Sequence, residues 1–289
     1  MAAVVTVMNM KGGVGKTTVT VNIGGIFSYY SVGGKAALRV LMIDYDPQFN
    51  LSQAYLRSTQ YFALEKAGKT TLNILIDNGI ALNPYQLQVS GNHIPPSVKS
   101  IATNVYSGTG TGRLDIVPST LNLMYVALGQ ATTSTIPIEE RFEKFIDECR
   151  IHYDLILIDC HPAGSLFTKT SLRNSDFVLI PVVPQKYAVR GIGLMMEFIK
   201  AKRAGAKSPQ PIILFNSTKR TGVSSEESAI RADAKYASYC LTHSMRWYKA
   251  FGEPEEGKGF VWQSTKPYST SAFDNLMAVS REIRTRIGL

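Results

Sequence analysis

The residues best suited to chemistry form one string, Asn9-Met-Lys-Gly-Gly-Val-Gly-Lys-Thr-Thr18. Glycines in such a string let backbone N–H groups curl round a phosphate, and a helix starting directly behind them adds partial positive charge where the anion sits. Lys16 is then placed to reach the β- and γ-phosphates of a nucleotide, and the Thr17 hydroxyl to bind Mg²⁺. Gly12, Gly13, Val14, Gly15 and Thr18 complete the cradle. Met10 holds the first glycine position of the pattern GxxxxGK[ST], so the strict form is not met, and a second lysine, Lys11, lies in the same loop. Two apolar runs end in acids. Val40-Leu-Met-Ile-Asp-Tyr-Asp46 closes on two carboxylates, one able to serve a metal and one to face a γ-phosphate; Tyr153-Asp-Leu-Ile-Leu-Ile-Asp159 closes on a single acid that would hold Mg²⁺ through water.

The elements that must position these groups alternate along the chain. Ala3 to Val7, Arg39 to Ile43, Leu155 to Ile158, Phe177 to Val183 and Pro211 to Phe215 read as buried strands; Thr17 to Phe27, Pro137 to Arg150, Gly191 to Ala204 and Ser271 to Ile287 read as helices. Such alternation predicts an α/β fold, a mostly parallel twisted sheet with helices on both faces, whose ligands bind where strands end and helices begin. Residues 84–113 are rich in Ser, Asn, Gly, Thr and Pro. They are expected to form a variable loop or insertion within a single domain spanning 1–289, since strands of one sheet flank them.

A chain of 289 residues, 45% hydrophobic and 18% charged, is long enough for a sizeable core and too apolar for disorder. It has no apolar run of the ~20 residues that span a bilayer, and no secretory leader at its start. Cys149, Cys160 and Cys240 lack CxxC or CxxH spacing, which fits a reducing cytosol and argues against a zinc site or disulfide framework. The net charge of +9 is uneven: residues 1–185 carry 14 Lys+Arg against 13 Asp+Glu, whereas residues 186–289 carry 17 against 9. That surplus fits either a polyanion-binding surface or a solvated basic surface that aids solubility.

The string NxKGGVGKTT closely resembles the deviant Walker A box of the ParA/MinD family of P-loop ATPases, in which an early signature lysine touches nucleotide bound by the partner subunit. Lys11 matches that position, so the resemblance implies a homodimer that sandwiches two ATP molecules. Asp44-Tyr-Asp-Pro-Gln-Phe-Asn-Leu-Ser52 is similar to the family's switch I, DxDPQxNxS; carried over, Asp44 joins the Mg²⁺ shell and Asp46 positions or activates the attacking water. Asp159 occupies the Walker B place, ahead of switch II, although His161 stands where the family has the first of two prolines. His161 would either tune switch II or be a packed or surface histidine. Leu114-Asp-Ile-Val-Pro-Ser119 resembles the family's DLIPS strand, Ser175 to Gly191 its strand and loop after switch II, and Asn216 the position that contacts adenine. The similarity spans nearly the whole chain and is weakest over 54–113 and 217–265.

Asn9-Met10 before Lys11 stands closer to ParA than to the membrane-bound MinD branch. In the last helix Leu276, Val279, Ile283 and Ile287 form an apolar stripe, with Arg281 and Arg284 expected on the opposite side and Arg286 flanking it. This suits packing on the sheet rather than membrane attachment, the more so because the chain stops without a bulky apolar tip. Lys200, Arg203 and Lys207, with Lys219, Arg220 and the terminal arginines, are expected to make a sequence-neutral DNA-binding face. The short lead before the first strand leaves no room for a helix-turn-helix, so operator repression is not expected. The resemblance thus implies a cytoplasmic, nucleoid-associated partition ATPase using ATP and Mg²⁺, stimulated by a ParB-like centromere-binding partner. The alternatives are a positioner of a protein cargo and an ATP-dependent enzyme, such as a reductase or synthetase, on the same scaffold.

Overall fold

A computed structural model of the protein describes residues 2–83, 85–87, 89, 91–108, 110–131, 134–161, 166–201 and 208–289. Its main sheet is built from β1 (Ala3–Val7), β2 (Arg39–Tyr45), β3 (Thr103–Ser107), β4 (Arg113–Val117), β5 (Leu155–Cys160), β6 (Phe177–Val182), β7 (Gln210–Thr218) and β8 (Met245–Arg246). The spatial order is β8-β7-β6-β1-β5-β2-β4-β3. β3 runs antiparallel to β4 and the other neighbouring pairs are parallel. The expectation of a mostly parallel sheet covered on both faces holds.

Side-chain alternation sorts the core into two layers. Val4, Leu41, Ile43, Ile156, Ile158, Val178 and Ile180 face one cluster, against α3 (Ile136–His152), α4 (Leu166–Asn174) and α5 (Ala188–Ala201). Val5, Val7, Val40, Met42, Leu155, Leu157 and Leu179 face the other, against α1 (Lys16–Tyr29) and α6 (Ser269–Arg286). α1 is buried all round from Val19 to Ser28 because α6 and the segment at Phe260 cover its outer side. Gly24 permits its close approach to the sheet, since a Cβ there would lie 2.7 Å from Met42 Sδ.

The 84–113 stretch is less irregular than its composition predicts. It holds a helical turn, Val98–Ile101, and the edge strand β3, whose half-exposed side chains lack the apolar alternation that would announce a strand. Arg141 ties part of this stretch to the body: its buried guanidinium donates to the carbonyls of Asn73, Ile74, Asn92 and Ile94 and to Asp77 Oδ1. Of the helix expected from Gly191 to Ala204, the portion beyond Ala201 lies outside the described residues.

Candidate active site

β1 delivers the chain into the glycine-rich loop and α1 takes it away at Lys16. Gly13 and Gly15 lie at φ 69° and 78°, a conformation that residues with a Cβ rarely adopt. At Gly15 space forbids a side chain as well, since a Cβ would stand 2.4 Å from Asn216 Nδ2. Asn216 is buried and donates through Nδ2 to the Val14 carbonyl at 2.8 Å. Asn9 braces the other limb, donating to the Pro181 carbonyl at 2.7 Å while its Oδ1 accepts the Lys11 N–H at 3.0 Å. The loop is therefore held between two asparagines, and the first turn of α1 contains no acid of its own to neutralise the helix's positive end.

The three expected acids converge beside it. Asp44 and Asp159 are paired in register on β2 and β5, and both are buried. The Thr17 hydroxyl donates to Asp159 Oδ2 at 2.7 Å, and that of Thr20 to Oδ1 at 3.3 Å. Burial pushes the Asp159 carboxyl up to about 6, with the Asp46 charge adding to the rise and Thr17 and Lys16 opposing it. Burial likewise holds the Asp44 carboxyl well above the usual range, and Asp159 adds repulsion. Against this, the Ser52 hydroxyl and N–H donate to Asp44 Oδ2 at 2.6 and 2.8 Å. Asp46 is half-buried and accepts the Gln48 N–H at 2.9 Å, which shapes the turn into α2 (Asn50–Tyr55).

Ser52 and Ser119 are functional-site residues whose roles sequence reading missed. The Ser119 hydroxyl donates to the Asp46 carbonyl at 2.6 Å and its N–H to Ser52 Oγ at 2.9 Å, so the end of β4 fixes the backbone carrying both acids. Both serines sit inside recognisable motifs, yet only the folded neighbourhood shows what they hold. Lys11 is exposed at the mouth, with Nζ 3.3 Å from Gln185 Oε1. Among the described residues four non-glycine positions have positive φ: Phe49 and Tyr187 follow the carboxyl ends of β2 and β6, Ser217 is the penultimate residue of β7, and Tyr268 precedes α6. Such backbone strain, about 1–3 kcal/mol each, persists where surrounding structure enforces it and clusters at binding sites.

These groups suit a hard divalent cation at a phosphate. Among the described residues no cluster of three His, Cys, Asp or Glu side chains stands ready to hold a metal. The Thr17 hydroxyl, already on Asp159, supplies instead the sparse oxygen set that Mg²⁺ accepts when phosphates and water fill its remaining positions. His161 donates its backbone N–H to the Tyr45 carbonyl at 3.3 Å, whereas residues 162–165 behind it lie outside the described set. Cys149, Cys160 and Cys240 are all buried and unpaired by disulfides.

Among the described residues, the expected DNA-binding side chains do not share one face. Lys200 and Arg286 line a cleft with Phe177 and Gln210, at the amino ends of β6 and β7. Arg281 is exposed near Gly33, also at that end. Lys219 and Arg220 lie beyond the carboxyl end of β7, with the Arg220 guanidinium 4.5 Å from the Tyr268 ring centre. Arg203 and Lys207 lie outside the described residues. Arg284 corrects the helical-wheel expectation: it is 5% exposed and donates to the carbonyls of Val32, Lys35 and Ala36. The turn after α1 leaves these carbonyls facing α6; those of Val32 and Lys35 also accept each other's N–H groups, and Arg284 adds a side-chain donor to all three. The stripe Leu276, Val279, Ile283 and Ile287 packs inward as expected, and among the described residues no helix is long and apolar enough to cross a membrane.

The sequence matches the family described as an AAA domain over residues 2–208. It is 30% identical over 202 residues to the sporulation initiation inhibitor protein Soj of Bacillus subtilis, an alignment covering 69% of this chain and 66% of that protein, just under two thirds of its length. In three dimensions it resembles a plasmid partition protein of Borrelia burgdorferi bound to AMPPNP (TM-score 0.70, 18% identity, 96% of this chain and 98% of that one). It also resembles pNOB8 ParA bound to nonspecific DNA (TM-score 0.62, 18% identity, 100% and 99% covered).

Proposed function

Because the chain belongs to the ParA family of P-loop ATPases, we propose that it binds ATP with Mg²⁺, hydrolyses it slowly, and uses the cycle to bind and release DNA in partition. The observation that carries this reading is the convergence of Thr17, Asp159, Asp44 and Asp46 beside one braced glycine loop. Lys16 and the loop N–H groups hold the phosphates, and Thr17 and Asp159 hold the cation, with Asp44 beside them. Mg²⁺, when bound, offsets the charge of the phosphates and of the two carboxylates. Asp46, held at its carbonyl by Ser119, orients the water that attacks the γ-phosphate. Lys11 points away from its own loop towards Gln185, poised for a phosphate carried by a second copy, so ATP closes a sandwich homodimer.

The surface that two copies bring together bears Lys219 and Arg220, and it is this cluster that we assign to phosphate contacts with nonspecific DNA. Two solved relatives support the reading, one bound to an ATP analogue and the other to nonspecific DNA. A ParB-like protein on a centromere is the proposed stimulator, and the setting is the cytoplasm at the nucleoid. The test is light scattering and DNA co-sedimentation with a non-hydrolysable ATP analogue. A dimer that retains DNA supports partition; a dimer that ignores DNA favours a protein cargo; rapid small-molecule turnover without a dimer favours an enzyme.

A further inference from the structure

Two consecutive threonines at the start of α1 send their hydroxyls to different partners. Thr17 donates to Asp159, on the metal side, whereas Thr18 donates to Glu255, which arrives from a distant loop. Successive helical residues point about 100° apart, so Thr17 marks the γ-phosphate end of the site and Thr18 the end from which the nucleoside leaves. Asn216 lies on the Thr18 side as well, because a Cβ on Gly15 would touch both the Asn216 amide and, at 3.7 Å, the Thr18 hydroxyl. Glu255 and Asn216 are thus the side chains that flank the exit.

The loop bearing Glu255 is anchored on both sides of it. Asn22 of α1 donates to the Phe251 carbonyl at 3.0 Å. Glu253 is 5% exposed and lies 3.5 Å from Lys266 Nζ, which also reaches Glu256. Backbone bonds from Glu256 and Lys258 to the Glu253 carbonyl close the turn. Glu255, by contrast, is exposed, and its carboxylate rests on a hydroxyl of the phosphate cradle itself.

A carboxylate beside a polyphosphate is repelled unless donors on the ligand hold it. Near the α-phosphate, the donors that a nucleotide presents are the sugar 2′- and 3′-hydroxyls, two neighbouring O–H groups that one carboxylate can accept together. We infer that Glu255 is a specificity-determining residue of the nucleotide site: it gives up Thr18 to the α-phosphate and accepts the ribose hydroxyls, so the protein selects ribonucleotides over deoxyribonucleotides. This rests on the nucleotide-binding reading above and deepens it, since a glycine loop alone does not distinguish ATP from its deoxy forms.

The test is equilibrium titration of the full chain with ATP, 2′,3′-dideoxy-ATP and inorganic tripolyphosphate. The parent should prefer ATP to the dideoxy form by about 10- to 100-fold, the value of the charge-assisted hydrogen bonds that the missing hydroxyls would make. Glu255→Ala should bring that ratio close to one by weakening ATP, while tripolyphosphate binds as well as to the parent or better. Glu255→Gln, which keeps an acceptor without the charge, should fall between them. A parent with no sugar preference, or a Glu255→Ala protein that keeps the parent's ratio, overturns the inference. If the parent binds neither ATP nor tripolyphosphate, the nucleotide reading itself fails.

Discussion

Asp44 and Asp159 stand opposite each other in register on adjacent parallel strands, both shielded from solvent. Two carboxylates brought together this way are expensive to ionise, and the expense has a direction in pH. Asp159 rises from 3.8 to about 6, burial being the largest cause. A carboxyl whose folded pKa exceeds its unfolded one favours the folded state at low pH, and that contribution is lost as pH climbs from about 4 through 6. At roughly 1.4 kcal/mol per unit, Asp159 alone costs about 3 kcal/mol at neutral pH. In a chelator, the Tm should therefore fall between pH 4.5 and 7. Asp159→Asn should be more stable than the parent at pH 7, and the gap should close towards pH 4. A Tm gap independent of pH would show that the carboxyl does not carry this burden.

Lys16→Ala should weaken ATP binding by about 100-fold or more, the scale expected when a charge-assisted phosphate interaction is removed from a shielded site. Lys16 is only half-buried, so the fold should survive. Isothermal titration with circular dichroism as a folding control would check it. Near-parental affinity in a folded variant would remove the loop from phosphate binding.

Lys11→Ala separates the two lysines of the loop. Its side chain is exposed and reaches Gln185 at the mouth, so nucleotide affinity in the monomer should change by less than about threefold, a surface-scale effect. Dimerisation with a non-hydrolysable analogue should be abolished. Light scattering decides, and a variant that dimerises like the parent would rule out action across the interface.

The parts of this site that were legible in the sequence are those made by neighbours along the chain. Strand, glycines, lysine, threonine and helix follow one another from Ala3 to Tyr29, and acids closing apolar runs announce Asp44, Asp46 and Asp159 without any tertiary knowledge. Ser52, Ser119 and Glu255 act through contacts between distant segments, the last spanning 237 residues; the motifs around the two serines do not show what they hold, and no local pattern marks Glu255. Arg284 is the instructive failure. The helical-wheel reading sets it opposite the apolar stripe and cannot show that the carbonyls of Val32, Lys35 and Ala36 wait for it, about 250 residues earlier in the chain. β3 escaped for a similar reason, because an edge strand half in solvent needs no apolar alternation.

Arg284→Ala should accordingly behave as a core mutation. It takes a donor from the carbonyls of Val32, Lys35 and Ala36, of which the first two keep a backbone N–H, at about 1–3 kcal/mol. Arg281→Ala, exposed one turn earlier, should shift stability by less than about 0.5 kcal/mol. Urea denaturation of the two variants gives the comparison. Equal stabilities would return Arg284 to the solvent-facing set.

The DNA-binding surface can be located through the hydrolysis step. If Asp46 orients the attacking water, Asp46→Ala should slow hydrolysis by on the order of 10²- to 10⁴-fold while Lys16, Thr17 and Asp159 still hold Mg²⁺-ATP. The dimer then persists, and DNA retention should rise. Within that background the two basic clusters make different claims. Lys219 and Arg220 lie at the carboxyl ends of the strands, beside the nucleotide site, where Arg220 stacks on Tyr268; Lys200, Arg281 and Arg286 lie at the amino ends, which a sandwich dimer leaves far apart. Reversing Lys219 and Arg220 to Glu should release DNA without dissolving the dimer and flatten the dependence on log salt by about 1 for each phosphate no longer neutralised. Reversing Arg281 should change both far less, because its cluster is not doubled by dimerisation. DNA retention across a salt series, with the dimer followed in parallel, reads out both reversals. The opposite ranking would move the interface to the amino-end cleft, and no ATP-dependent retention by the Asp46→Ala parent would favour the positioning of a protein cargo.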